Sequence, residues 1–352
     1  MTIGKSLLFG CAQDIITIHF HLRFNCLRDI GRRVALFLLL RNFRAIIKNR
    51  IRSFLGVSVI MSDIVELRSI ISQSVAFSAK SNFANIENLQ DASFSIYSQF
   101  GEDGILYFLC NRLDMRRPRI LELGVGNFEE CNSRFLAEHL QADVVVVDAR
   151  TDLIKSVKAL PLFWKNHLLP IEEWITPESI RALQETAKEF MGGIDILSID
   201  IDGNDYWVAK EIDFREIEIV VVEYNPFFGC RRAISVPRDD TFDRRTAHFT
   251  WDYYGASLLA YVHLLEGHNF TFVGTNRQGT NAFFVKNIKV PLLGLSPVNS
   301  YEGFVNCPTR DARDLNARLS YKSFQQRIED IRGLPVVDVV ANTVISLGEL
   351  TH

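Results

Sequence analysis

Cysteine is sparse and unpatterned. The six residues at 11, 26, 110, 131, 230 and 307 form no CxxC pair and no short regular spacing, which excludes a zinc ribbon or a disulfide framework and makes a reducing compartment the expectation. Long apolar runs are missing too. The longest candidate, VALFLLL from Val34 to Leu40, falls well short of the roughly 18 residues that a membrane-spanning helix needs. After Lys5, Asp14 and two histidines, His19 and His21, interrupt what would otherwise resemble a signal peptide. A cytoplasmic protein is the expectation. No internal repeat and no low-complexity tract is present, which sets aside solenoid and array architectures.

What is present is an ordinary globular composition, with 47% hydrophobic and 23% charged residues and an excess only of Phe, at 26. At 352 residues the chain accommodates one enlarged α/β domain with appendages, or two domains. The net charge of -3 hides an asymmetry. Through about residue 60, ten Lys and Arg face only Asp14 and Asp29, which is roughly +8, so the rest of the chain carries about -11. A basic arm thus precedes an acidic body, which argues against a nucleic-acid enzyme. Residues 1–94 read as a basic helical arm, suited to an anionic membrane surface or to a docking or homo-oligomer contact.

From Ser98 the texture becomes strands alternating with helices. RILELGVG, ADVVVVDA, IDILSIDID and REIEIVVVEYN are Val/Ile-rich strands, and SQFGEDGILYFLCNRL, NSRFLAEHL, TPESIRALQETAKEF and GASLLAYVHLLEGH are helices, with Thr176 as a cap and Pro177 at a first position. NFTFVG and NAFFVKN predict a hairpin around TNRQGT. Near-continuous apolar strands separated by helices predict a mostly parallel, doubly wound Rossmann-like sheet over 95–290. Residues 291–352 form a C-terminal extension with a polar helix in DARDLNARLSYKSFQQRIEDI, followed by LPVVDVVANTVISL of undetermined type. No chemistry is assigned to it.

Ligands of such sheets bind beyond the carboxyl ends of the strands. Those positions hold Glu122-x-Gly124-x-Gly126-Asn127, then Asp148, then Asp200-x-Asp202, then Glu223-Tyr224-Asn225. A glycine turn after the first strand, with an acid at the end of the second, fits a nucleoside. The full GxGxxG dinucleotide pattern is absent, because Glu129 stands where its third glycine belongs.

SQFGEDGI, ELGVGN, the strand ending at Asp148, LSIDIDGNDYW, VVEYN and GASLLAYVHLLEGHNFTFVG…NAFFV resemble the class I S-adenosylmethionine-dependent methyltransferases, and especially FkbM-like and related proteins of polysaccharide biosynthesis, over about Ser98 to Val285. The resemblance implies S-adenosylmethionine as cofactor, held by Gly124, Gly126 and Asp148 with Glu122 supporting the loop. It also implies a terminal antiparallel hairpin and a hydroxylated small-molecule or sugar substrate. One departure stands out: the usual third glycine of the loop falls at Phe128, so approach to the cofactor there must be looser or different.

The carboxylates of IDIDGND repel one another unless protons, cations or donors compensate. A divalent ion such as Mg²⁺ is one answer, with Asp200, Asp202, Glu223 and Asn225 as ligands, in the manner of the metal-dependent O-methyltransferases that the cluster resembles in position. Turn and cap work by Asp202 and Asp205 is another, and direct bonding to substrate a third. Asp200 or His248 is the expected general base. Arg231, Arg232, Arg244 and Arg245 are placed to hold an anionic substrate or to form a solvated loop. Glu102 and Asp103 are expected at the cofactor entrance or in a helix cap. Two other functions stay open: a DxD glycosyltransferase built on Asp200 and Asp202, and an inactive methyltransferase-fold binding module.

Overall fold

The computed structural model describes residues 57–349, so most of the basic arm lies outside the described residues. The chain divides between Ser69 and Ile70 into two compact units. In chain order the elements are α1 (Val57–Asn82), α2 (Glu102–Arg112), β1 (Arg119–Leu123), α3 (Arg134–Leu140), β2 (Asp143–Asp148), α4 (Leu153–Lys158), α5 (Pro161–Lys165), β3 (Leu168–Glu172), α6 (Ile180–Met191) and β4 (Ile196–Ile199). They continue with α7 (Asp205–Lys210), β5 (Ile219–Glu223), β6 (Ile234–Ser235), α8 (Arg244–Ala247), α9 (Leu258–Glu266), β7 (Phe270–Thr275), β8 (Asn281–Lys286), α10 (Phe324–Ile331), β9 (Pro335–Asp338) and β10 (Thr343–Ser346).

Seven strands form one sheet in the order β3-β2-β1-β4-β5-β8-β7. The first five are mutually parallel, and β8 runs antiparallel to both β5 and β7. This is the expected Rossmann-like, doubly wound sheet with its terminal hairpin. Strand β2 illustrates why it forms. Val144 and Val146 enter one core while Val145 and Val147 enter the other, all four fully buried, and each such burial is worth roughly 1.5–3 kcal/mol. Helices α2 to α5 cover the first face, and α6, α7 and α9 the second. Among the described residues no helix is long and apolar enough to cross a membrane.

Three features depart from the sequence reading. Strand β3 was not expected. It contains Pro170, which a central strand would not tolerate, but β3 lies at the sheet edge where proline is admitted. Helix α6 begins at Ile180, later than Thr176, because Thr176 and Ser179 exchange hydrogen bonds (Ser179 N to Thr176 Oγ1, 3.2 Å; Thr176 N to Ser179 Oγ, 3.0 Å) and cap the preceding turn. The expected polar helix over 311–331 is reduced to α10, which starts where Ser323 and Gln326 form a capping box.

The apolar stretch after α10 resolves into the hairpin β9–β10, which pairs with β6 to make a second, three-stranded antiparallel sheet. A small third core, including Phe227, Ile234, Ile331 and Val336, joins this sheet to α10. The C-terminal extension is therefore tied to the insertion that follows β5.

Candidate functional site

Strand order reverses between β1 and β4, and the carboxyl ends of the parallel strands there open into a cavity of about 920 Å³. That volume lies within the usual range for a small-molecule site. Its floor is the glycine loop after β1. Gly124 has φ +82°, and a Cβ on it would lie 1.6 Å from the Asp200 carbonyl oxygen, so only glycine lets the ends of β1 and β4 meet. Gly126, at φ +61°, has nothing within 4 Å of its Cβ position and lines the cavity. Its N–H donates to Asp148 Oδ2 at 2.7 Å, while Arg150 N–H donates to Asp148 Oδ1 at 2.9 Å. Two backbone bonds thus fix the acid at the loop, with lone pairs remaining on both oxygens.

Phe128 explains how the loop does without a third glycine. It keeps a left-handed backbone, φ +66°, and buries its ring completely in the core. The phenyl leaves the cavity, where it is not a lining residue, so the expected looser approach does not arise from its side chain. Glu122 also stays out of the cavity. Its carboxylate accepts from Asn132 N–H (2.7 Å), Ser133 N–H (3.0 Å) and Ser133 O–H (2.5 Å), which pins the start of α3. Burial raises its pKa. Its bonds tie the end of β1 to the segment that follows the glycine loop.

The SQFGEDG segment presents Gln99 and Phe100 to the same cavity. Asp103 holds it there: its Oδ2 accepts from the N–H groups of Ile96, Tyr97 and Ser98 at 2.6, 2.6 and 3.0 Å, while Ser98 Oγ accepts from Asp103 N–H. Burial lifts Asp103 to a pKa of about 7, with the neighbouring Glu102 charge a lesser cause. Glu102 accepts from Phe100 N–H (2.8 Å) and from the side chains of Asn276 (2.6 Å) and Asn281 (2.9 Å). Both acids are structural, and neither lines the cavity.

Across the cavity, Asp200, Asp202 and Glu223 each offer a carboxylate oxygen within 4.8 Å of the others. Burial pushes the pKa of both Asp200 and Glu223 well up. The charges of Asp202 and Asp205 add to the effect on both and that of Asp200 raises Glu223 further, while Arg244 opposes it and a hydrogen bond with Glu223 lowers Asp200. Glu223 Oε2 is buried without a hydrogen-bond partner. Asp202, exposed and at φ +59°, pairs with Arg244 Nη1. Asp205 does the turn work, accepting from Ile201 N–H (2.7 Å) and Gly203 N–H (2.8 Å) at a pKa lifted by burial to about 6.

Asn225 does not join the acids as the sequence led us to expect. Its Nδ2 donates to the carbonyls of Asp252 (2.8 Å) and Tyr254 (2.9 Å), and its Oδ1 accepts from Phe227 N–H at 2.9 Å. Both ends of the amide are committed to buried backbone, and Asn225 does not line the cavity. His248 stands apart from the acids: its Nδ1 engages Thr250 Oγ1 at 2.8 Å and it does not line the cavity. Burial lowers its pKa.

Of the four arginines singled out in the insertion, Arg244 and Arg245 line the cavity, and Arg231 and Arg232 do not. Arg244 is fixed from three sides, by Asp202, by the Trp251 carbonyl (Nε 2.9 Å, Nη2 2.8 Å) and by the Tyr254 ring, 3.8 Å from its Cζ.

The extension, to which the sequence gave no chemistry, supplies the remaining wall through Cys307, Thr309, Asp311, Arg313 and Arg327. Arg327 is buried and pairs with Asp252 through two bonds (Nε–Oδ2 3.1 Å, Nη2–Oδ1 2.5 Å) and with Asp311 at 2.9 Å. No spacing signal joins Asp252 to Arg327, 75 residues apart.

No protein-family model matches the sequence, and no curated protein matches it. Among solved structures, the chain is similar to the N-terminal domain of EvdMO1 with SAH bound, at a TM-score of 0.35 and 10% sequence identity, over 60% of this chain and 94% of that one.

Proposed function

We propose that the chain is an S-adenosylmethionine-dependent methyltransferase, FkbM-like in kind, acting on a hydroxyl of a sugar or other small polyhydroxylated acceptor. The observation that carries this reading is a shared chamber: the open face of Gly126 with the fixed carboxylate of Asp148 lies in the same cavity as Asp200, Asp202 and Glu223. A donor half and an acceptor half adjoin, which is what a displacement between two bound partners requires.

The residues fit the cofactor. Asp148 keeps lone pairs for ribose hydroxyls, Gly126 allows close approach of the chain, and Val125, Ala149 and Ile175 offer an apolar wall for a base. When bound, the cofactor supplies an electrophilic methyl carbon. The acids fit a divalent cation such as Mg²⁺, which Asp200, Asp202 and Glu223 would hold. Arg244 sets a single positive charge against three carboxyls, and Glu223 Oε2 lacks a partner. Without a cation, Asp200 is the base in this reading, because burial raises its pKa and makes its carboxylate a stronger proton acceptor than a surface aspartate; with a cation held there it would serve as a ligand instead, and the ion would lower the pKa of the acceptor hydroxyl.

One observation favours a second reading. Asp200 and Asp202 both line the cavity, as a DxD glycosyltransferase holding a nucleotide sugar through a metal would require. It leaves Gly126 and Asp148 without a task. Calorimetric titration separates the two: S-adenosylmethionine and SAH, each with and without Mg²⁺, against UDP-sugars with Mn²⁺. Binding of the methyl-donor pair, weakened by Asp148→Ala, is expected. Binding of UDP-sugar alone would overturn the methyltransferase reading in favour of the second, and SAH binding without turnover on any hydroxylated acceptor would favour a binding module.

A further inference from the structure

Five arginines line the cavity, Arg150, Arg244, Arg245, Arg313 and Arg327. Four of them are matched by acids: Arg150 by Asp152, Arg244 by Asp202, Arg245 by Asp243, and Arg327 by Asp252 and Asp311. Arg313 is the exception among the described residues. Its guanidinium makes no ion pair or hydrogen bond there, and its Nε is buried without a partner. Asp311, only two residues away, is turned to Arg327 instead.

Arg313 is nonetheless held firmly. Its backbone N–H donates to the Thr250 carbonyl at 3.1 Å, and it bridges to Leu319 across a tight antiparallel pairing. The guanidinium carbon sits 4.7 Å from the centre of the Trp251 ring, and the carbonyl of that same Trp251 anchors Arg244. Through Trp251, Arg313 and Arg244 are therefore built on one support, and Arg244 faces the carboxyl trio. An unmatched cation with a desolvated N–H is unfavourable by itself. A guanidinium spread on an aromatic face inside a ligand cavity is complementary to a planar or tetrahedral oxyanion, which it grips through two parallel bonds.

We infer that Arg313 anchors an oxyanion carried by the acceptor, a phosphate ester or a carboxylate, and so selects an anionic acceptor over a neutral one. This rests on the methyltransferase reading only in naming the ligand an acceptor. Of the acids that line the cavity, Asp148 is bonded to backbone N–H groups, and Asp202, Asp243 and Asp311 each touch an arginine other than Arg313; Glu130, Asp200 and Glu223 also line it, and none of them pairs with Arg313.

The test titrates the full chain by calorimetry with glucose 1-phosphate, glucuronate and glucose, in the presence and absence of saturating SAH. Wild type is expected to bind one of the two anions at least about 10-fold more tightly than glucose. Arg313→Gln should weaken that anion about 10- to 100-fold and Arg313→Lys less, since lysine keeps the charge and loses the fork. The Kd for SAH and the Tm should not move. Equal binding of anions and glucose, no binding of either anion, or an undiminished anion in Arg313→Gln would overturn the inference. So would weakened SAH binding in that variant, which would give Arg313 to the donor's own carboxylate. If wild type binds no SAH but still binds an anion through Arg313, the methyltransferase reading fails alone and the oxyanion site stands.

Discussion

The two loop glycines, identical in sequence appearance and two positions apart, should respond in opposite ways to the same added methyl group. At Gly124 the new Cβ would sit 1.6 Å from the Asp200 carbonyl oxygen and 2.5 Å from its carbon. Neither atom can yield easily, because Asp200 N–H is bonded to the Leu123 carbonyl at 2.9 Å and β1 and β4 pair directly below. Overlap of that depth, added to a left-handed alanine, belongs with the largest single-residue losses, about 4 kcal/mol or more. At Gly126 the Cβ would meet nothing within 4 Å, so only the left-handed backbone is penalised, by about 1–2 kcal/mol. The methyl would instead occupy ligand space. Gly126→Ala should therefore fold, lose only about 1–2 kcal/mol in urea unfolding, and bind SAH about 10-fold or more weakly, a loss of about 1.4 kcal/mol. Gly124→Ala should be severely destabilised before any ligand is added. Wild-type SAH affinity in Gly126→Ala would refute the placing of the cofactor against that residue. Equal stability of the two variants would refute the tight meeting of β1 with β4.

Three other outcomes follow from the site and its supports. Asp200→Asn should reduce kcat by about 100-fold or more if Asp200 takes the hydroxyl proton; in wild type, kcat/KM should fall toward acid along a limb centred above the ordinary aspartate range, because burial raises that group, and unchanged turnover in the variant would remove Asp200 as base. Asp103, lifted by burial to about 7, keeps its proton in the native state after the unfolded chain has lost its own. Its contribution is thus full below the unfolded aspartate pKa and is lost as pH rises through about 7, with a slope of at most about 1.4 kcal/mol per pH unit; urea midpoints from pH 5 to 8 should fall in wild type and flatten in Asp103→Asn, and a persistent slope would assign it to another group. Arg327→Met leaves Asp252 buried and unmatched, for a loss of about 3–5 kcal/mol and faster proteolysis within the extension, with much of it regained by adding Asp252→Asn; a loss below about 1 kcal/mol would mean that the pair is open to solvent.

The sheet was legible because its strands are buried on both faces, and such strands declare themselves as unbroken Val and Ile runs. Strand β3 escaped because Leu168–Glu172 carries Pro170, which interrupts the apolar run, and an edge strand needs no donor on its open side. The second sheet escaped for a different reason. Strands β6, β9 and β10 have two, four and four residues and draw their core from segments about a hundred positions apart. Nothing local in LPVVDVVANTVISL says what it will lie against.

The site divides along the same line. The residues that meet in the cavity at strand ends, Gly124, Gly126, Asp148, Asp200, Asp202 and Glu223, were legible because a parallel sheet sends every carboxyl end to one edge, so position along the chain implies position in space. Phe128 shows where residue identity misleads and backbone does not. The loop needs a left-handed residue there, and phenylalanine supplies it at φ +66° by turning its ring into a core that could take it. The ring is thus accommodated on the far side of the loop from the cavity. Asn225 and His248 lie outside the cavity lining, which the sequence did not reveal because composition cannot say which polar groups are already claimed by backbone or hydroxyl partners. Arg313 is the converse. It drew no notice in a polar stretch, and it becomes informative only when each neighbouring arginine is matched to its acid and one cation is left over in the cavity. A candidate of that kind is defined by what the rest of the fold withholds from it, and that can be read only after the pairing of all the others is known.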